Sequence, residues 1–118
     1  MLNPNPSAPV YLALGATDLR KSIDGLSLIV QESFQLDPFS THLFVFCNRK
    51  QDKLKILQWD HNGFWLYYKR LEKGRFRWPT GEKGRSTELS YRKFMWLLDG
   101  LPLSQSDAFP PVRERGIY

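Results

Sequence analysis

The stretch "KLKILQWDHNGFWLYYKRL" (Lys53–Leu71) decides the fold. Its first half, 53–59, alternates apolar and polar residues, the period-two pattern of a strand with unlike faces. "DHNG" (60–63) contains Asn-Gly, the strongest short hairpin signal. "FWLYYKRL" (64–71) reads as the return strand. On the first strand Lys53, Lys55, Leu57 and Trp59 share one face, and Leu54 and Ile56 share the other. On the return strand Trp65, Tyr67 and Lys69 share a face, while Phe64, Leu66, Tyr68 and Arg70 take the opposite one. A two-residue Asn62-Gly63 turn would pair Trp59 with Leu66 and Lys55 with Arg70. A four-residue loop is expected to shift that parity and exchange the faces of the return strand, and both stay open at this level.

Working outward, "HLFVFC" (42–47) is a continuous β-prone run, expected as a central strand buried on both faces. "NRKQD" (48–52) is the polar turn that joins it to the hairpin. Downstream, "EKG" (72–74) turns the chain and "RFRW" (75–78) is expected as a fourth meander strand. "PTGEKGRST" (79–87) reads as a loop. Ser90 is placed to cap a helix over 91–98 with Phe94, Leu97 and Leu98 inward, and Gly100 is placed to end it. Upstream, "VYLAL" (10–14) is a short strand. Thr17 or Asp18 is a candidate N-cap for an amphipathic helix reaching about Phe34, with Leu19, Ile23, Leu26, Ile29, Val30 and Phe34 on one face. The order predicts an α+β domain over 10–100: a mainly antiparallel sheet of four to five strands, with two helices packed on one face. Residues 1–9 read as a flexible arm and 101–118 as a turn-rich tail.

Length, composition and charge narrow the function classes. The chain has 118 residues, 14% aromatic side chains, a net charge of +5 and a pI near 9.5. One domain with one core fits that length. A basic balance favours an acidic partner such as nucleic acid. The excess sits in one region: residues 49–93 hold thirteen of the seventeen Lys and Arg but five of the twelve Asp and Glu. A single cysteine, Cys47, excludes an intrachain disulfide and a cysteine metal site. No stretch is long and apolar enough to span a membrane, and the N-terminus lacks signal-peptide character, so a cytoplasmic location with no membrane partner is expected.

Catalytic constellations are sparse. His42 and His61 lack ligand spacing, and "GEKGRST" lacks the Gly-Lys-Ser/Thr ending of a phosphate loop. Asp18, Asp24 and Asp60 form the one conceivable carboxylate trio, though a cap and a turn account for Asp18 and Asp60. No enzyme activity, metal or cofactor is expected. In "TDLRKSIDGL" (17–26), Arg20 and Asp24 are spaced to pair along a helix, as are Lys21 and Asp24. The other reading makes Arg20 and Lys21 an anion site at the helix start.

"YLALGATDLRKSIDGL", "DPFSTHLFVFCNRKQDKLKILQWDHNGFWLYYKRLEKGRFRWP" and "LLDGL" together resemble the accessory protein of insertion-sequence-66 elements (TnpB or Orf2-like), over roughly residues 10–100. The resemblance implies a partner of a separate, longer transposase, and it carries over no catalytic residue. The expected function is therefore a non-catalytic transposition accessory that binds DNA, at the element ends, through the hairpin. Arg49, Lys50, Lys53, Lys55, Lys69, Arg70, Lys73, Arg75 and Arg77 are candidate phosphate contacts. Trp59, Trp65 and Trp78 are candidate stacking or wedge residues, or else core. The alternative is an adaptor whose aromatic surface packs on the transposase or forms a homo-oligomer, without DNA contact.

Overall fold

The computed structural model describes residues 8–100. The expected arm lies almost wholly outside them, and the expected tail lies entirely outside. Five strands and two helices follow one another as β1 (Val10–Ala13), α1 (Ile23–Leu28), β2 (Leu43–Cys47), β3 (Lys53–Asp60), β4 (Gly63–Arg70), β5 (Ser86–Leu89) and α2 (Tyr91–Leu98). The sheet order is β4-β3-β2-β1-β5. The fold is α+β as expected, but the sheet is mixed, because β1 and β2 run parallel while the other three pairings are antiparallel. The passage through α1 carries the chain from the end of β1 back to the end where β1 began, and a strand that starts there runs parallel to β1.

All five residues of β2 are buried, as its unbroken apolar run predicts. Period two sends them into two separate cores. Leu43, Val45 and Cys47 join Val10, Leu12, Leu54, Ile56, Phe76, Trp78 and the α2 residues Phe94 and Leu97. Phe44 and Phe46 join Ala13, Leu57 and the helical residues Leu26 and Val30. The helices therefore cover opposite faces, which corrects the expectation of one covered face. A fully buried Phe or Leu is stabilised by roughly 1.5–3 kcal/mol relative to exposure, so each face has its own reason to keep its helix.

The first helix is shorter than its periodicity suggests. It begins at Ile23 and continues beyond Leu28 as a π-helical turn over Ile29–Ser33, closed by Phe34 N–H donating to Ile29 O at 3.1 Å. Asp18 does not cap it. Its carboxylate accepts from the backbone N–H and the guanidinium of Arg20, while Thr17 N–H donates to Cys47 O at 2.8 Å. The approach to the helix is thus pinned to the sheet as a turn. Arg20 pairs with Asp18 at 2.7 Å, not with Asp24.

Two further corrections concern the chain after β4. "RFRW" is not a strand. Phe76 and Trp78 are buried and Arg75 and Arg77 exposed, so the alternation is real. The segment nonetheless lies across the sheet as a strap. Leu71 N–H donates to Asp52 O, Phe76 N–H to Gln51 O, and the Trp78 indole N–H to Ala13 O at 2.9 Å. The fifth strand is Ser86–Leu89, which begins inside the expected loop. At the other end Ser90 Oγ accepts from Lys93 N–H, and α2 spans 91–98 as its cap predicts.

Candidate nucleic-acid interface

Strand polarity decides which connections meet. The registers Leu12↔Val45, Cys47↔Leu54, Lys53↔Arg70 and Ala13↔Ser86 bring the ends of β1, β2 and β4 beside the starts of β3 and β5. Segments 14–22, 48–55 and 69–86 therefore gather at one end of the sheet. They contain thirteen of the seventeen Lys and Arg and four of the twelve Asp and Glu. The connections at the other end, 34–42, 60–63 and 87–90, contain no Lys or Arg but include Asp37, Asp60 and Glu88. A charge bias that is regional in the sequence becomes polar in the fold.

At the basic end, each of the four acids has a short-range partner. Asp18 binds Arg20 at 2.7 Å, Glu72 binds Arg70 at 2.8 Å, Glu82 meets Arg85 at 3.5 Å, and Asp52 lies 3.9 Å from Lys53. Hydrogen bonds from Arg20 hold the Asp18 carboxyl far below the usual carboxylate range. The Asn48 amide, donating to Asp52 at 2.7 Å, lowers the Asp52 carboxyl as well. Asn48 also accepts from the backbone N–H of Asp52 and Lys53, so one side chain shapes the whole turn that presents Arg49 and Lys50. Arg49, Lys50, Lys69, Lys73 and Arg75 are exposed and make no ion pair among the described residues.

The two anion-binding candidates of the sequence, Arg20/Lys21 and the hairpin cations, meet here. An open cleft of about 560 Å³ is lined by Asp18, Leu19, Arg20, Asn48, Lys53, Lys55 and Tyr68. Lys55 stands apart from the other cations. Its ammonium donates to Leu19 O at 2.6 Å and Lys21 O at 3.0 Å, and so staples the segment before α1 to β3. Arg77 donates to Gly100 O at 3.0 Å, tying the strap to the end of α2.

The tryptophans do not accompany the cations. Trp78 is 7% exposed and belongs to the core, which removes it from the candidate surface. Trp59 pairs across the ladder with Phe64 and packs against Phe39 and Phe64, next to the hairpin tip. It lies six residues along β3 from Lys53, about 20 Å at strand rise. Trp65 is 50% exposed, on the opposite face, with its indole on Asp60. The ring that does stand beside the cations is Tyr68, 55% exposed and directly across from Lys55. Sequence reasoning passed over it, as it passed over Asn48. The available signal for Tyr68 was its shared face with Arg70. The carboxylates Asp18 and Asp60 fall at opposite ends of the sheet, and no group of three metal-ligating side chains occurs among the described residues. No helix among them is long and apolar enough to cross a membrane.

A family model and two relatives match this chain. A model of the family described as IS66 Orf2 like protein matches residues 8–108. Uncharacterized protein y4hO of Sinorhizobium fredii (strain NBRC 101917 / NGR234) is 39% identical over 101 residues, covering 86% of this chain and 87% of the relative. Uncharacterized protein y4jC of the same strain is 31% identical over 113 residues, covering 96% of each. No solved structure matches. The chain belongs to the IS66 Orf2-like family, whose members are accessory proteins of insertion-sequence transposition.

Proposed function

We propose that the chain is a non-catalytic transposition accessory that binds DNA through the basic end of its sheet. The observation that carries this reading is the convergence of segments 14–22, 48–55 and 69–86, with thirteen cations against four acids. Cations on turns grip phosphates without reading bases. Arg49, Lys50, Lys69, Lys73 and Arg75 lead the contacts. Lys53 and Arg20 flank the cleft, where Tyr68 offers a ring face to an unpaired base. Element ends in complex with the transposase are the proposed target.

Fluorescence anisotropy against salt, with labelled element-end and scrambled duplexes, tests the reading. Each neutralised phosphate adds about 0.9 to the steepness of log K against log salt. Charge reversal at Arg49, Lys50, Lys73 and Arg75 (each to Glu) lowers the slope by up to about 3.6 if all four make contact. No binding at the lowest salt, or a slope indifferent to those changes, overturns the proposal. A second reading rests on Phe39, 56% exposed over Trp59 and Phe64, and on Leu28, 51% exposed. These apolar groups suit an adaptor surface for the transposase. Capture of the transposase with little salt dependence, lost on Phe39→Ser, is its signature.

A further inference from the structure

Strand β4 forms an outer edge of the sheet, and the direction of its free backbone groups follows from the ladder. Leu71 N–H donates to Asp52 O, the next step of the β3–β4 register. Hydrogen-bonded pairs recur every second residue. The odd-numbered residues of β4, Gly63 to Lys69, therefore face β3. Phe64, Leu66, Tyr68 and Arg70 point their N–H and C=O groups outward, and no described residue pairs with them. The edge is eight residues long, without proline or bulge, and its charges are confined to Lys69 and Arg70. The opposite edge, β5, has four residues. A long, regular edge with few charges is a template for another strand.

We infer that β4 pairs with β4 of a second copy, antiparallel about a two-fold axis at Leu66. The axis stands perpendicular to the sheet, so residues on one face meet residues on the same face. Leu66 then lies opposite Leu66 of the second copy, Phe64 opposite Tyr68, and Trp65 opposite Tyr67. The outward groups of Phe64, Leu66 and Tyr68 complete six backbone hydrogen bonds. Charge selects this partner and this direction. Antiparallel pairing sets Lys69 opposite Gly63 of the second copy, on the face that also carries Asp60, at a hairpin tip that has no Lys or Arg. Parallel pairing would set Lys69 and Arg70 against their own copies.

The two basic ends of such a dimer point in opposite directions, about 27 Å apart along the strand axis (eight residues at about 3.4 Å). One duplex can occupy each, so the dimer bridges two DNA segments. The bridging rests on the DNA reading; the dimer does not.

Sedimentation equilibrium of the full chain over a wide concentration range tests the interface. A monomer–dimer equilibrium is expected. Tyr68→Pro removes an outward N–H and no bond to β3, and an edge strand tolerates proline. By symmetry it deletes two intersubunit bonds, raising the dimer dissociation constant about tenfold or more, with the monomer's circular dichroism retained. Should that variant fail to fold, a charge pair on one face decides the matter: Lys69→Asp weakens the dimer, and adding Asp60→Lys restores it. A wild-type chain that stays monomeric, or a dimer indifferent to both tests, overturns the inference. Energy transfer between two differently labelled duplexes then reads bridging. Dimer without any DNA binding sinks the DNA reading alone, and DNA binding by a monomer sinks this one.

Discussion

Replacing Trp78 separates a core residue from a DNA wedge. Its indole is 7% exposed and donates to the Ala13 carbonyl at 2.9 Å, at the end of β1. Trp78→Phe keeps most of the ring but deletes the N–H, leaving a buried carbonyl without its partner. That costs about 1–3 kcal/mol. Trp78→Ala adds a cavity and reaches about 3–5 kcal/mol. For a domain of this size about 1 kcal/mol moves the melting temperature by roughly 4–8 °C. The phenylalanine variant is thus expected to melt about 8–16 °C lower at a loss near 2 kcal/mol. Thermal melts and urea midpoints give these values. Anisotropy with duplex DNA, run well below the lowered transition, gives affinity. Unchanged affinity and salt slope with reduced stability fits the core assignment. An unchanged melting temperature with weakened DNA binding would refute it, because the ring would then be acting outside the protein.

Three further outcomes follow from the same geometry. Lys55→Met strands the carbonyls of Leu19 and Lys21, at about 1.5–3 kcal/mol for hydrogen bonds to a charged group; faster amide exchange over residues 19–23 is expected, with an unaltered DNA salt slope, since that ammonium is already engaged. The Asp52 carboxyl is lowered chiefly by the Asn48 amide. A lowered folded value means that the stabilisation is fully present above the ordinary value of 3.8 and is lost as pH falls through the folded one. Urea midpoints should therefore show a gap between wild type and Asp52→Asn that is constant near neutrality and closes in acid; a gap that persists at the lowest pH contradicts the assignment. Burial pushes the Cys47 thiol up to about 12, so thiol reagents should label it at neutral pH only at the rate of unfolding, and rapid labelling of the native protein would contradict its place in the core.

The sequence was legible where the controlling interactions are local. The buried run of β2, the hairpin strands and the Ser90-capped α2 each carry their own pattern, and each formed as read. The hairpin turn was nearly so. Its two central residues are His61 and Asn62, with His61 at φ +59°, and not Asn62-Gly63. The observed register sets Leu57 against Leu66, both in the core under α1, whereas the Asn-Gly register would have set Leu57 against Tyr68. Burial of an apolar pair outweighed the turn preference. Because the shift is two residues, the pairing left open in the sequence resolves without exchanging the faces of the return strand. The strap and β5 were not legible for a different reason. Alternation in "RFRW" reports which side chains meet the core, and not whether the backbone bonds run to a ladder or to scattered carbonyls.

Charge and aromaticity look like one property in the sequence because Lys53–Trp78 interleaves them. The fold separates them by two means. Strand rise carries Trp59 and Trp65 toward the acidic hairpin tip, while Lys53, Lys69 and Arg70 stay at the basic end. The strap then turns Phe76 and Trp78 inward and leaves Arg75 and Arg77 outside. A phosphate held by Lys53 is about 20 Å from Trp59, too far for one nucleotide to touch both. The proposed DNA contact therefore draws on the cations and, among the rings, on Tyr68. Such a division suits a protein that holds DNA with one end of its sheet and another protein, or its own second copy, with the strand edge and hairpin tip. The same separation explains why four acids at the basic end do not cancel it: each is tied to one neighbouring cation, and nine remain.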